Sequence, residues 1–350
     1  MLTNVQIEGF RGIGSLELEN LYPVNLIIGE NNSGKTSVLE AIQLLKGKNV
    51  LENLYQVAYK RENPAGGIYS RTKLGLSDLI FYTFYDKEQP SICVRGTDNR
   101  HGEIRAGITG EIYHYIPDTY SEVTSFDEDG FVSAFRGDFY YVSESGRYEQ
   151  SFELGEERKI RRISRSLIPM EYLNPISAQT QLTSVKSMYH ALRVREKEQL
   201  IELLQYFDQR IVGIEKISDE GRVITLLELD DGQMMPLSVF GDGIKKILAI
   251  STAVVKARGG VVLVDEFETG IHKRALSVMA DWIYAIAGEY ETQIFLTTHS
   301  EDAMGALADS EQSRDMLNVY RLEHYRDRIY VKRFSGEDIS ENQKWGTDIF

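Results

Sequence analysis

The chain has 350 residues, 42% hydrophobic and 26% charged, with a formal net charge of −14 and a single cysteine, Cys93. That length supports a full core and two lobes, and one cysteine excludes an internal disulfide framework and a four-cysteine zinc site. The acidic balance argues against broad binding to nucleic acid, which needs a basic surface, and leaves room only for a local basic groove. No stretch approaches the roughly 18 apolar residues that a membrane helix requires. The opening "MLTNVQIEGFRGI" lacks a basic region followed by an apolar run, so no signal peptide is expected. A cytoplasmic protein is the expectation.

Residues 1–28 alternate as two short strands, "LTNVQIEGF" and "LYPVNLIIG", with "RGIGSLELEN" joining them. Val38, Leu39, Ala41, Ile42, Leu44 and Leu45 then have helical periodicity after Thr36, ending near Gly47. From about 70 to 175 the texture is antiparallel β: "EIYHYI", "GFVSAF", "DFYYVS" and "RYEQSFEL" are separated by Gly, Asp and Ser. "TSVKSMYHALRVREKEQLIELLQYFDQRI" reads as helix, with Leu192, Leu200, Leu203, Leu204 and Phe207 able to share a face. "RVITLLELDDGQMMPL" predicts a hairpin about its Asp-Gly pair.

From Gly241 to Ser300 the order is helix, strand, helix, strand. "GGVVLVDEF" and "TQIFLTTHS" are nearly all apolar, as buried parallel strands should be. "LNVYRLEHYRDRIYVKRF" predicts one more hairpin. There is no internal repeat, no low-complexity tract and no sustained heptad. The domain expectation is therefore one lobe from residues 1–48 and 235–350, with an inserted lobe over 49–234, β-rich to about 175 and then helical.

Four motifs carry chemistry. "GENNSGKT" fits G-x-x-x-x-G-K-[ST] between a strand and a helix. Gly29 and Gly34 let backbone N–H groups turn inward, and Asn31, Asn32, Ser33 and Ser37 complete the phosphate-contacting segment. Lys35 brings positive charge to the β and γ oxygens, and the Thr36 hydroxyl is a hard ligand for Mg²⁺. The helix start adds its dipole.

Next, a buried strand ends in Asp265 and Glu266. Neighbouring strand residues face opposite ways, so the two acids suit different jobs. Asp265 is expected on the Mg²⁺ side and Glu266 at the attacking water. His299 ends another apolar strand. A lone histidine there is more commonly structural, but open α/β sheets bind ligands at the carboxyl ends of their strands, within reach of a γ-phosphate. Finally, Gly241 and Gly243 precede a strongly helical segment, a second loop-to-helix anion site. A two-fold dimer would close it over the partner's nucleotide.

These motifs in this order resemble the ABC-type ATPase heads of the SMC, RecF and OLD group. "IEGFRGIGSLEL" is similar too, as those families open with a strand, a Phe-Arg-Gly turn and a second strand. The resemblance spans residues 1 to about 48 and about 235 to 305. With no coiled-coil arm, the chain looks more like compact OLD-type (AAA15/AAA21-like) ATPases. The resemblance implies an α/β P-loop NTPase fold, a mixed sheet flanked by helices with an inserted lobe. It implies ATP and Mg²⁺ as ligands, Arg11 near the phosphates, Asp265 on the metal, Glu266 as general base and His299 as the switch histidine. Two departures stand out. Phe240 precedes Gly241 where transporter heads have serine, and Gln179 is only a candidate for the lid-loop glutamine.

OLD-type nucleases carry a C-terminal TOPRIM domain. The segment after His299 reads as a hairpin and tail, so no nuclease activity is expected of this chain. Stand-alone heads resemble ATPase subunits of anti-phage operons, which implies a separately encoded nuclease or toxin effector and a homodimer or higher oligomer. The basic run Arg158, Lys159, Arg161, Arg162 and Arg165 reads as a DNA contact, a site for an acidic partner or a solvated face. Three readings stay open: a nucleotide-gated ATPase dimer that regulates an effector, a non-hydrolysing scaffold, and a RecF-like DNA-binding ATPase.

Overall fold

The computed structural model describes residues 1–54, 57, 83–115, 132–154, 166–175, 194–219, 222–326 and 328–344. The chain forms two compact units. Met1–Leu21, Asn32–Ile168 and Leu322–Val331 make the first; Tyr22–Asn31, Pro169–Arg321 and Lys332–Phe350 make the second.

In the first unit, β1 (Leu2–Phe10) and β2 (Ile13–Glu19) form a hairpin. The segment expected to be a connection is thus itself a strand. Ile13, Leu16 and Leu18 turn inward opposite Phe10, Ile7 and Val5, while Glu17 and Glu19 face solvent. Its tight turn is Arg11-Gly12, with Arg11 at φ +53°, a left-handed conformation that hairpin turns need and that an arginine does not advertise. After β3 (Val24–Gly29), which belongs to the second unit, the sheet continues with β4 (Ser91–Asp98), β5 (Gly102–Tyr115), β6 (Val132–Ser143) and β7 (Gly146–Leu154). Its order is β2-β1-β4-β5-β6-β7, antiparallel throughout. The aromatic-rich segments lie on β5, β6 and β7, as their alternation predicts.

Helix α1 (Lys35–Ile42) and the single 3₁₀ turn Gln43–Lys46 are buried along nearly their whole length. Val38, Leu39, Ala41, Ile42, Leu44 and Leu45 are fully buried. The Tyr141 hydroxyl donates to the Leu45 carbonyl at 3.2 Å, fixing the turn to β6. One charged pair is sealed in: Arg11 Nε lies 3.1 Å from Glu40 Oε2, with the side chains 12% and 2% exposed. The Arg11 backbone N–H also donates to Thr83 O at 2.7 Å.

The second unit is built on parallel strands. β8 (Met170–Leu173), β12 (Val261–Val264), β13 (Gln293–Thr297) and β3 pair in parallel. With β14 (Leu317–Tyr325) and β15 (Arg328–Ser335), of which Leu322–Val331 is counted with the first unit, the strand order is β15-β14-β3-β13-β12-β8. "MEYL" at 170–173 therefore belongs to the parallel sheet and not to the antiparallel texture that precedes it. A smaller antiparallel sheet, β11-β10-β9, is formed by β9 (Ile211–Asp219), β10 (Arg222–Leu229) and β11 (Met234–Pro236). Its β10–β11 hairpin is the one predicted about Asp-Gly.

Among the described residues the further helices are α2 (Val194–Gln205), α3 (Asp242–Lys256), α4 (Leu276–Glu289), α5 (Glu301–Ala308), α6 (Ser313–Met316) and α7 (Gly336–Lys344). Leu200, Leu203 and Leu204 enter the core with Phe207 packed against it; Leu192, Gln179 and Arg158–Arg165 lie outside the described residues. Every residue of β3, β12 and β13 is buried, which is why these strands read as apolar runs. Parallel pairing brings their carboxyl ends, at Gly29, Val264 and Thr297, to one edge of the sheet.

Breaking a buried ion pair strands a charge without its partner. Arg11→Ala is expected to lower the unfolding free energy by about 3 kcal/mol, and Arg11→Met combined with Glu40→Leu to recover most of that loss. Urea denaturation measures both; a double variant as unstable as Arg11→Ala would show that the pair is not what holds the turn to α1.

Candidate nucleotide site

At the sheet edge, β3 runs into Glu30 and Asn31, both exposed. The chain then passes through Asn32 at φ +64° and Gly34 at φ +98° before α1 begins at Lys35. Asparagine tolerates the left-handed region and glycine adopts it freely. Alternation of such residues turns successive N–H groups to one side, as an anion requires. The start of α1 carries no side-chain cap and no acid in its first turn. Ser33 Oγ is buried with no hydrogen-bond partner among the described residues. An orphaned hydroxyl and an uncapped helix start fit a bound phosphate. Lys35 and Ser37 are buried, and Thr36 is half-buried. Arg11 lies in the first unit with these residues, its Nε committed to Glu40.

In the second unit, Asp265 and Glu266 follow β12, and Thr297 ends the adjacent strand. Thr297 Oγ1 donates to Asp265 Oδ1 at 2.5 Å and accepts the Glu266 backbone N–H at 2.8 Å. One hydroxyl therefore orients both acids. Asp265 is buried, and its own N–H donates to Leu173 O at 2.8 Å. Glu266 stands at φ +48°, an uncommon conformation for a glutamate that survives only where neighbours over-determine it. Its side chain is 40% exposed, with Oε1 3.8 Å from His299 Nε2. Thr269 Oγ1 donates to Glu266 Oε2 at 3.2 Å. The His299 backbone N–H donates to Glu268 Oε1 at 2.9 Å, and Ser300 caps α5 by accepting from Ala303 N.

Beneath the acids lies Lys246, from α3. Nζ donates to the carbonyl oxygens of Glu266 at 3.0 Å and Asp265 at 3.4 Å. Burial pulls its pKa down from 10.5 to about 8, against the opposing pull of the Glu268, Asp265 and Glu266 charges.

The second glycine pair divides its labour. Gly241 is exposed in extended backbone with open space where a Cβ would project, and α3 starts there without a side-chain cap. Gly243 is buried, and a Cβ on it would come within 2.7 Å of the Phe207 ring. Packing against Phe207 and the Gly270 carbonyl thus disfavours a side chain at Gly243, whereas Gly241 faces open space.

Asp265, Glu266 and His299 come together in the second unit, while Arg11 and Asn32–Ser37 belong to the first. Thr297, Lys246, Glu268 and Glu40 carry contacts that no sequence motif announced. Among the described residues, no three His, Cys, Asp or Glu side chains cluster as a metal site. Mg²⁺ held by one hydroxyl, one carboxylate and phosphate oxygens needs no such cluster.

A glycine-turned loop into an uncapped helix, with paired acids at the end of a buried parallel strand, defines a P-loop ATPase. Residues 24–304 match the family described as "AAA domain, putative AbiEii toxin, Type IV TA system", and the chain belongs to that family. A Helicobacter pylori protein named ATP/GTP phosphatase is 24% identical over 374 aligned positions, covering 97% of each chain. The DNA replication and repair protein RecF of Shewanella pealeana is 34% identical over 111 residues, 31% of this chain and 27% of RecF. Among solved structures, an Smc head domain with an extended coiled coil, bound to the C-terminal domain of ScpA from Pyrococcus furiosus, is similar with a TM-score of 0.48 and 10% identity over 98% of each chain. Among the described residues, no helix is long and apolar enough to cross a membrane.

The lowered pKa of Lys246 has a signed consequence. Between about pH 8 and 10.5 the unfolded chain binds more protons than the folded one, so this group's effect on stability rises with pH across that window. Below about pH 8 the cost of burying the charge applies in full. The slope of unfolding free energy against pH from 8 to 10 is expected to exceed that of Lys246→Met, by up to about 1.4 kcal/mol per pH unit. Equal slopes in urea titrations would contradict it.

Proposed function

We propose that the chain binds ATP at the 29–37 loop and hydrolyses it with Glu266 as general base. The observation that carries this reading is the Thr297 hydroxyl, which orients Asp265 and Glu266 while leaving the Glu266 carboxylate open to solvent. A water attacks the γ-phosphorus in line with the β–γ bridging oxygen. Its proton passes to Glu266, the bridging bond breaks, and ADP and phosphate leave. Gly29 and the backbone of Asn31–Ser37 cradle the phosphates, Lys35 neutralises them, and His299 beside Glu266 reports the γ-phosphate. Thr36 and Asp265 would hold Mg²⁺, which supplies positive charge to the β and γ oxygens. The Helicobacter pylori relative's name supports hydrolysis and leaves the choice between ATP and GTP open.

The nucleotide gates a homodimer in this proposal. Gly241 is open and α3 is uncapped there, and Val239 beside it is 63% exposed, a large apolar side chain suited to burial against a second copy. Gly241 then meets the partner's γ-phosphate. A separately encoded toxin or nuclease effector, acting in anti-phage defence, is the output. The family description, "putative AbiEii toxin, Type IV TA system", supports a toxin-linked setting, and the separate effector is this proposal's own step. The RecF matches favour a second reading, ATP-dependent binding to gapped DNA. Salt-sensitive retention on gapped DNA, lost on changing Arg161 and Arg162, separates the two.

Glu266→Gln should lower kcat by about 10²- to 10⁴-fold without weakening nucleotide binding. The same variant with ATP should sediment as a dimer. A wild-type rate removes the general-base role, and a strict monomer at saturating ATP removes the shared site.

A further inference from the structure

Lys246 has no role in the proposed chemistry, yet its amine reaches the backbone of both acids. It stands in the second turn of α3, on one stripe with Ile250 and Ala253, and is 2% exposed. It donates to the Glu266 carbonyl, while Thr297 receives the Glu266 N–H. Both peptide groups flanking the Glu266 Cα are therefore held, one by α3 and one by β13. Between those two grips Glu266 keeps its left-handed backbone.

The seam between α3 and this turn has no slack. A Cβ on Gly243 would lie 3.2 Å from the Gly270 carbonyl, and one on Gly270 would lie 3.0 Å from Asp242 Cβ. With the first turn of α3 packed this closely, the lysine one step further along is fixed in reach of the carbonyls. An apolar side chain of equal length would fill the space and leave the turn ungripped.

We infer that Lys246 is a positioning residue for hydrolysis: its hydrogen bonds to the Asp265 and Glu266 carbonyls hold the left-handed turn that aims the Glu266 carboxylate at the attacking water. This rests on Glu266 being the general base. The hydrogen bonds of Lys246 go to backbone carbonyls, so it acts on rate through Glu266 and not on nucleotide affinity.

A double-mutant cycle tests it. Lys246→Met keeps length and removes the donors; Lys246→Arg keeps donors. Single-turnover hydrolysis of radiolabelled ATP reads the rate, and a fluorescent ATP analogue reads affinity. Lys246→Met is expected to lower the rate by about 30- to 100-fold, the scale of a small misplacement, with affinity within about twofold. Lys246→Arg should recover at least about a third of the wild-type rate if donation is what matters. In the Glu266→Gln background, Lys246→Met should change the residual rate by less than about threefold, because groups acting as a unit are not additive. A full multiplicative loss on top of a slow Glu266→Gln overturns the inference alone, as does a folded Lys246→Met at wild-type rate. Glu266→Gln at wild-type rate overturns the general-base reading, and the inference falls with it. If Lys246→Met melts below the assay temperature, Lys246→Leu, which likewise carries no donor, is run through the same cycle at low temperature with the same criteria.

Discussion

One hydroxyl group organises the acidic end of the sheet. Thr297 donates to Asp265 and accepts from the Glu266 backbone, and it can do both only because β12 and β13 run parallel and in register, Val264 beside Leu296. That register brings the end of one strand level with the end of the next. The two acids therefore inherit their geometry from the most buried part of the fold, where close packing tolerates little displacement. A side chain at the end of such a strand is as well placed as the strand, and the turn that follows can hold a conformation a loose loop would relax.

Burial of charge follows the same logic in both units. Lys246 lies beneath a turn that bears three carboxylates, and Arg11 lies against Glu40. Each cation is removed from water, which is costly, and each is met by opposite charge or by carbonyl oxygens. Such pairs add little net stability compared with apolar residues of the same shape, but losing half of one is expensive. What they supply is a defined arrangement: Arg11 binds a hairpin turn to α1, and Lys246 binds α3 to the end of β12.

The apolar runs and the glycine loop were legible in the sequence because burial on both faces leaves no polar residues in a strand and because G-x-x-x-x-G-K-[ST] is a compact pattern. β12, β13, α1 and the β10–β11 hairpin follow from these signals. β2 came only from the likeness of "IEGFRGIGSLEL" to a strand, a Phe-Arg-Gly turn and a second strand, since its turn uses Arg11 in a left-handed conformation where hairpin signals call for Asn-Gly or Asp-Gly. β8 is four residues long and borrows its identity from its partner β12, a non-local fact. In the site, the acids and His299 sit at strand ends and could be singled out, whereas Thr297 and Glu268 looked like ordinary polar residues. Lys246 left a trace. It falls on the stripe with Ile250 and Ala253, where a charged residue conflicts with the apolar pattern, and such a conflict commonly marks a site under functional constraint. Gly243 shows the converse: it reads as part of an anion loop, and the ring of Phe207 gives its lack of a side chain a packing reason.

The burial of Lys246 also makes it a built-in reporter. An amine-directed reagent meets surface lysines at once, but it reaches this one only when α3 parts from the turn carrying Glu266. The labelling rate of that single side chain, followed by mass spectrometry, would count how often the hydrolytic turn comes undone.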